Sequence, residues 1–231
     1  MNDPRVIVAL DFAAQAKALE FVATVSPELC KLKVGKELFT SAGPALVEKL
    51  VAQGFDVFLD LKFHDIPNTV QKAVTAAAKL GVWMVNVHAM GGEAMMSAAM
   101  EGADMVARRP FVIAVTVLTS MSESQLKAIG IPLAIPELVD QLAKQAKGCG
   151  LDGVVCSARE VVSLRQSIGS SPLLVTPGIR PTWASSDDQH RIVTPEQAIA
   201  DGASYLVIGR PITQHAEPLV ALAMIRDAIA N

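Results

Sequence analysis

This chain of 231 residues contains few aromatic residues and has no large excess of positive or negative charge. Phe, Trp and Tyr together make up 4% of the sequence, and 20 basic residues face 23 acidic ones, for a formal net charge of −3. A charge this close to balance is not typical of a nucleic-acid-binding or membrane-binding surface. We therefore expect neither nucleic acid nor a membrane as a partner, and an anionic ligand would have to be held by a few local cations.

Cysteines and long apolar runs are equally limited. The three cysteines, Cys30, Cys149 and Cys156, lack CxxC spacing, so we expect free thiols in a reducing compartment and no metal bound by them. No apolar stretch reaches the ~18–20 residues that a membrane helix needs. Only four residues separate the initial methionine from an apolar run that ends at Asp11, which does not match a secretory signal. We expect a soluble, cytoplasmic protein.

Short β-branched runs alternate with Ala-rich stretches of helical period along the whole chain. Hydrophobic residues make up 51% of it, as expected for a parallel sheet covered on both faces. The predicted strands are Arg5–Leu10, Leu29–Val34, Asp56–Leu61, Trp83–Val87, Phe111–Leu118, Gly153–Cys156, Leu173–Thr176 and Tyr205–Ile208. The predicted helices are Ala13–Val25, Ala42–Gln53, Thr69–Leu80, Gly92–Ala107, Ile135–Gly148, Arg159–Ser167, Thr194–Asp201 and Pro218–Ala230.

Eight strand–helix units in this length predict an α/β fold, with residues 1–231 forming a single domain built as a closed (β/α)₈, or TIM, barrel. An open doubly wound sheet is the alternative. Such a sheet usually has a Gly-rich phosphate loop after its first strand, whereas the first strand here ends in Asp11-Phe12-Ala13-Ala14. The absence of that loop favours the barrel.

The end of the third predicted strand carries the most informative charges, because a barrel of this kind places its active site at the carboxyl ends of its strands. Asp60 and Lys62 are two residues apart and therefore share one face, after the run 55–59, which is apolar apart from Asp56. Opposite charges there would be partly desolvated, which is costly unless they are paired. A structural ion pair at the rim is one interpretation. The other is a functional set, extended by Lys33 on the neighbouring strand to a Lys–Asp–Lys line.

The segment DLKFHDIPNTV, which starts at Asp60, resembles the signature of orotidine 5′-monophosphate decarboxylases. Six further segments agree with that family in the same order: VALD ending at Asp11, KVG at Lys33–Gly35, NVHA at Asn86–Ala89, TVLTS at Thr116–Ser120, TPGIRP at Thr176–Pro181 and VIGRPIT at Val207–Thr213. The resemblance therefore covers essentially the whole chain. It implies a carboxy-lyase that converts orotidine 5′-monophosphate (OMP) to uridine 5′-monophosphate (UMP) and CO₂, the last step of de novo pyrimidine biosynthesis. It also implies that no metal or organic cofactor is needed.

The resemblance implies roles for individual residues. Lys62 would stabilise and protonate the carbanion at C6 of the pyrimidine, and Asp60 would lie against the departing carboxylate and orient the two lysines. Lys33 would bond Asp60 and the ribose, Asp11 would bind a ribose hydroxyl, and Thr119 would bind the amide edge of the pyrimidine.

The resemblance also implies a homodimer with shared active sites. Asp65 would complete the catalytic site of the partner subunit, and the substrate-binding residue Thr69 follows it on the same segment.

Barrel geometry and the resemblance both suggest a phosphate site at the loops after the seventh and eighth strands. The substrate-binding residues expected there are Pro177, Arg180, Gly209 and Arg210. The irregular segment 180–191 would be a lid that closes on the phosphate, with Gln189 contacting both phosphate and pyrimidine. A plain solvated loop is the alternative.

Two other functions stay open at this point. A sugar-phosphate decarboxylase of the same barrel superfamily would share D-x-K-x-x-D, but such enzymes use a Mg²⁺ ion held partly by a Glu where Lys33 stands here. A non-catalytic nucleotide-binding barrel would explain the phosphate loops but not the full set of Lys33, Asp60 and Lys62. No role is assigned to His64 or His88.

Overall fold

The computed structural model describes residues 3–184 and 193–230. Eight parallel strands pair in chain order and close into a barrel, in which β1 neighbours both β2 and β8. The strands are β1 (Val6–Ala9), β2 (Lys31–Gly35), β3 (Val57–Phe63), β4 (Met84–His88), β5 (Phe111–Val115), β6 (Gly153–Val155), β7 (Leu173–Thr176) and β8 (Tyr205–Ile208). The predicted closed barrel is confirmed, and the open sheet is wrong.

Helices follow the strands around the outside of the barrel. They are α1 (Gln15–Val22), α2 (Lys36–Ala42), α3 (Pro44–Ala52), α4 (Pro67–Lys79), α5 (Gly92–Asp104), α6 (Glu123–Ala128), α7 (Ile135–Gly148), α8 (Val161–Ile168), α9 (Pro195–Ala200), α10 (Arg210–Thr213) and α11 (Pro218–Ala230). The predicted strands and helices are all present, with small shifts at their ends. The short helices α2, α6 and α10 are not among the predicted ones, because four to seven residues are too few for a clear helical period.

The strands are apolar on both faces because two separate cores use alternate residues of each strand. On β1, Ile7 and Ala9 point into the barrel interior, whereas Val6 and Val8 pack against the helices. The amino-terminal end of the interior is closed by Lys31, whose ammonium lies 2.6 Å from Asp3 and 2.7 Å from Asp56. A binding site can therefore form at the opposite end of the interior, where the carboxyl ends of the strands lie.

Gly102 in α5 sets how closely α5 packs on α4, the helix that begins beside the site. A Cβ at Gly102 would lie 2.4 Å from the carbonyl oxygen of Gln71 in α4. We expect Gly102→Ala to lower the free energy of unfolding by about 1–3 kcal/mol, because helix backbones must move apart to admit the methyl group.

Gly148 in α7 provides the matched control, since a Cβ there meets no atom within 4 Å. Gly148→Ala should leave stability unchanged or raise it by about 0.5–1 kcal/mol, because alanine is the better helix former. Urea denaturation of both variants measures the difference. A Gly102→Ala protein as stable as the Gly148→Ala protein would refute the packing argument.

Candidate active site

A cavity of ≈ 320 Å³ opens at the carboxyl ends of the strands. Its apolar wall includes Ala9, Phe58 and Val207, which also belong to the core inside the barrel. Nine residues predicted from the sequence line it: Asp11, Lys33, Asp60, Lys62, Thr119, Pro177, Arg180, Gly209 and Arg210. An apolar cavity of this size with a few converging polar groups is the usual form of a small-molecule site.

Four of the lining residues form a line of alternating charge across β1, β2 and β3. The ammonium of Lys62 lies 2.5 Å from Oδ1 of Asp60, and that of Lys33 lies 3.4 Å from Oδ2 of Asp60. Lys33 also lies 3.2 Å from Oδ1 of Asp11. The structure therefore brings together the predicted Lys–Asp–Lys set and extends it by Asp11.

Asp60 sits at the centre of this line with its side chain only 11% exposed. Burial raises the pKa of the Asp60 carboxyl, but the charges of Lys33 and Lys62 and hydrogen bonds from Lys62 and Asn86 outweigh burial, so the pKa lies below its ordinary value. A carboxyl with a lowered folded-state pKa stabilises the fold above its unfolded pKa, and that contribution is lost as pH falls through the folded pKa. At neutral pH Asp60 is therefore an anion held between two cations.

The ladder between β3 and β4 is interrupted beside this line. The pairs Leu59–Val85 and Phe63–Val87 enclose three residues of β3 but only Asn86 of β4. This irregularity is a bulge, a feature that often re-aims side chains next to active sites. The shared face predicted for the two charged residues of β3 is observed, but the bulge was not expected from regular alternation along the strand.

Lys62 lies within the bulge and has a φ of 52°, in the left-handed region. Over residues 3–184 and 193–230 it is the only non-glycine residue with a positive φ. Its backbone N–H donates a 2.8 Å hydrogen bond to Oδ1 of Asn86. Conformations of this kind are sparsely populated and concentrate at functional sites, where the surroundings hold them in place.

The predicted phosphate residues belong to the segments that follow β7 and β8. Arg180 is buried, and its backbone N–H donates to the carbonyl of Val193, so the two ends of the irregular segment are joined. Gly209 lies against the end of β1, where a Cβ would come within 3.5 Å of the Asp11 carboxylate. Arg210 follows as the first residue of α10. The segments after β7 and β8 thus bring two arginines, Arg180 and Arg210, to the cavity lining.

Two predicted residues of the described chain, Asp65 and Thr69, do not line this cavity. Asp65 and Thr69 are exposed near the start of α4, and the Asp65 carboxylate accepts a 2.7 Å hydrogen bond from the N–H of Ile66. Gln189 lies outside the described residues, as does most of the segment predicted to be a lid. The interpretation of that segment as a lid or a loop stays a prediction.

Two residues near the charged line were not assigned a part from the sequence. Asn86 is wholly buried in β4 and forms hydrogen bonds with both Asp60 and Lys62. An asparagine within an otherwise apolar predicted strand was the sequence signal that could have identified it. His88 lies with its ring centroid 5.5 Å from that of His64. Burial lowers the pKa of His88, and the nearby charges of His64, Lys36 and Lys62 lower it further, against an opposite effect of Asp60. His88 is therefore a neutral imidazole at pH 7.

Residues 3–184 and 193–230 contain no group of three or more His, Cys, Asp or Glu side chains placed to hold a metal ion. In the same part of the chain, no helix is long and apolar enough to span a membrane.

Comparisons with known proteins agree over nearly the full length. The family model described as "Orotidine 5′-phosphate decarboxylase / HUMPS family" matches residues 4–225. The chain is 59% identical over 229 residues to the orotidine 5′-phosphate decarboxylase of Saccharophagus degradans, covering 99% of this chain and 96% of the relative. It is 60% identical over 225 residues to the protein of the same name from Hahella chejuensis, covering 97% of each.

Solved structures give the same result. The crystal structure of orotidine 5′-phosphate decarboxylase from Lactobacillus acidophilus matches with a TM-score of 0.90 at 40% identity and covers 100% of both chains. An uncharacterized conserved protein from Geobacillus kaustophilus matches with a TM-score of 0.85 at 42% identity, covering 97% of this chain and 99% of that one. The barrel fold is therefore shared with these proteins over nearly the full length of the chain.

Proposed function

Because the chain belongs to the orotidine 5′-phosphate decarboxylase family, we propose that it converts OMP to UMP and CO₂, the last step of de novo pyrimidine biosynthesis, as a carboxy-lyase of one catalytic domain. The observation that carries the proposal is the alternating line Asp11–Lys33–Asp60–Lys62 in the cavity of a chain matched over 97–99% of its length by decarboxylases. The family description also includes the HUMPS name, but both relatives are decarboxylases of OMP by name.

Lys62 is the proposed acid. When the bond between C6 and the carboxylate breaks, CO₂ departs and the electron pair stays on C6 as an sp² carbanion that the ring delocalises poorly. An ammonium fixed beside C6 stabilises this charge more in the transition state than in the bound substrate, which is the condition for a faster reaction. The Nζ–H of Lys62 then gives its proton to C6, and the neutral amine regains a proton from solvent.

Asp60 and Lys33 complete the proposed catalytic set. Asp60 holds the ammonium of Lys62 at 2.5 Å and would lie against the carboxylate of bound OMP, so repulsion between the two anions favours departure of CO₂. Lys33 holds the other carboxylate oxygen of Asp60 and would reach the ribose. Its contact with Asp11 supports a shared site for the ribose hydroxyls.

The remaining contacts would hold the ends of the nucleotide. Thr119 would bind the amide edge of the pyrimidine, while the phosphate would lie between Arg180 and Arg210, beside Pro177 and the backbone N–H of Gly209. Arginine suits this part because its planar guanidinium bonds phosphate oxygens in pairs. Gln189 would join phosphate and pyrimidine when a lid closes, so that phosphate binding far from C6 helps to assemble the charged line.

We further propose a homodimer with shared active sites. Asp65 and Thr69 lie on the exposed start of α4 rather than in the cavity of their own subunit, next to Ile66, which is 66% exposed. Leu118 on the cavity rim is also exposed. A contiguous apolar patch rimmed by polar residues marks an interaction surface, and in the proposed dimer Ile66 and Leu118 would belong to such a patch. Three free cysteines support the proposed cytoplasmic location of the dimer.

Turnover of OMP by the purified protein tests the proposed function. We expect the absorbance of the orotate ring to fall at the same rate with and without EDTA, because the sequence resemblance implies that Lys33 stands where the sugar-phosphate enzymes have a metal-binding Glu. A folded protein that turns over a sugar phosphate only without EDTA would favour the rival decarboxylase. Binding of UMP with no turnover of either substrate would favour a non-catalytic barrel.

A further inference from the structure

We propose that Asn86 is a positioning residue for this reaction, whose side-chain amide holds Lys62 and Asp60 in the relative placement that proton delivery to C6 requires. The inference rests on the proposed function and assigns a part to a residue outside the cavity lining.

The amide of Asn86 joins the two charged residues of β3 directly. Its Nδ2 donates a 2.7 Å hydrogen bond to Oδ1 of Asp60, and its Oδ1 accepts a 2.8 Å hydrogen bond from the backbone N–H of Lys62. The carboxylate can only accept and the backbone N–H can only donate, so the two contacts fix which way the amide points. Among uncharged side chains of this length, an amide is the group that serves both partners at once.

The contact to Lys62 lies where the ladder between β3 and β4 is interrupted. The bulge leaves Asn86 alone opposite three residues of β3, and its side chain occupies the gap that the interrupted ladder leaves. Lys62 adopts its left-handed conformation at this point. Such a conformation persists only where the surroundings hold it. Asn86 is 0% exposed, so water cannot easily replace the amide as the partner of that N–H.

The contact to Asp60 fixes the carboxylate. Oδ1 of Asp60 receives both Nδ2 of Asn86 and Nζ of Lys62, while Oδ2 faces Lys33. The Asn86 amide therefore restrains the backbone of Lys62. It also restrains Oδ1 of Asp60, the oxygen that the Lys62 ammonium contacts. A shift of about 1 Å in such a group is enough to lower a rate about 100-fold.

Two substitutions separate the two contacts. Asn86→Ala removes both, and Asn86→Asp keeps the acceptor for the Lys62 N–H but loses the donor to Asp60. We expect kcat for OMP to fall about 100-fold in Asn86→Ala, while KM for OMP and Kd for UMP stay within about threefold, because the ribose and phosphate contacts lie elsewhere in the cavity. Asn86→Asp should also lose kcat with little change in KM.

The pH profile gives a readout that a merely structural role would not move. The charged or titratable groups that face Asp60 are Lys33 from β2, Lys62 from β3 and His88 from β4, with Asp11 bonded to Lys33 beyond them. The donor at Asn86 helps to lower the pKa of Asp60, so its loss raises that pKa. The acid limb of kcat/KM should move to higher pH in both variants, and further in Asn86→Asp, where a second carboxyl stands beside the first.

Thr176→Val is the matched control. Thr176 ends β7, is 0% exposed and donates a 3.3 Å hydrogen bond to the carbonyl of Tyr205, so this variant also loses one buried hydrogen bond at a strand end. Because its hydroxyl does not contact the charged line, we expect kcat and the acid limb to stay at their wild-type values. Thermal denaturation and UMP binding establish that all variants are folded.

The proposal is overturned if the folded Asn86 variants keep kcat within about threefold of wild type. It is also overturned if kcat falls as much in Thr176→Val as in the Asn86 variants. Failure of wild type itself to decarboxylate OMP would sink the proposed function instead. In that case crystal structures of wild type and Asn86→Ala test the positioning role of Asn86 independently of activity. We expect Lys62 in the variant to leave its left-handed conformation and its contact with Asp60, and retention of both would refute the inference.

Discussion

Replacing Lys62 by alanine is expected to lower kcat for OMP by at least about 10⁴-fold, because one side chain supplies two effects. Its ammonium lowers the energy of the C6 carbanion by charge, and its N–H then delivers the proton to C6. A positioned general acid is worth about 10²–10⁴-fold and an electrostatic donor aimed at developing charge about 10²–10³-fold, so the lower ends of the two ranges already multiply to this value.

Lys36→Ala provides the control for charge. Lys36 is exposed at the start of α2 and belongs to the same end of the barrel, so its removal changes the net charge by the same amount. Exposed charges act through water and are screened by salt, so we expect kcat to change by no more than about threefold. Single-turnover assays with saturating enzyme measure the chemical step in each variant. A Lys62→Ala protein that binds UMP and keeps more than about 1% of wild-type kcat would assign the proton to another group.

Much of the fold and of the charged line in the cavity follows from local sequence patterns. The apolar strands ended by Asp11, Lys33 and Asp60 fix both the barrel and the end at which charges collect, because parallel strands in a closed sheet bring their carboxyl ends together. Chain order makes β2 and β3 neighbours, and because Lys33 pairs with Phe58, its side chain reaches Asp60 two residues further along the same face of β3.

The parts that could not be predicted depend on pairing between distant segments. The bulge at Lys62 exists only in relation to β4, since a strand has no bulge until its partner is specified. Asn86 was visible as a polar residue in the apolar run MVNVH, but its partners lie 24 and 26 residues away in sequence. By contrast, the short helix α6 had a local signal in Ser122 and Gln125, which form a capping box at its start.

The second large effect is expected from mixing two inactive variants. If Asp65 completes the site of the partner subunit, Lys62→Ala and Asp65→Ala each damage every site of a pure dimer, and we expect Asp65→Ala alone to lose at least about 100-fold in kcat. A mixed dimer of the two places both substitutions in one site and leaves the other site intact. Co-expression with two affinity tags isolates this species, whose activity should return to about half that of the wild-type dimer.

A second mixed dimer supplies the control, because Lys62 and Asp60 belong to the same subunit and contact each other within it. A dimer of Lys62→Ala with Asp60→Asn damages both sites, so its activity should stay at the level of the single variants. Recovery in the first mixture and none in the second distinguishes a shared site from a general stabilising effect of mixing. If the first mixture stays inactive although tagged dimers are recovered, Asp65 acts within its own subunit, and α4 would have to move to bring it to the cavity. The exposed position of Asp65 outside the cavity makes the partner subunit the simpler source of that carboxylate.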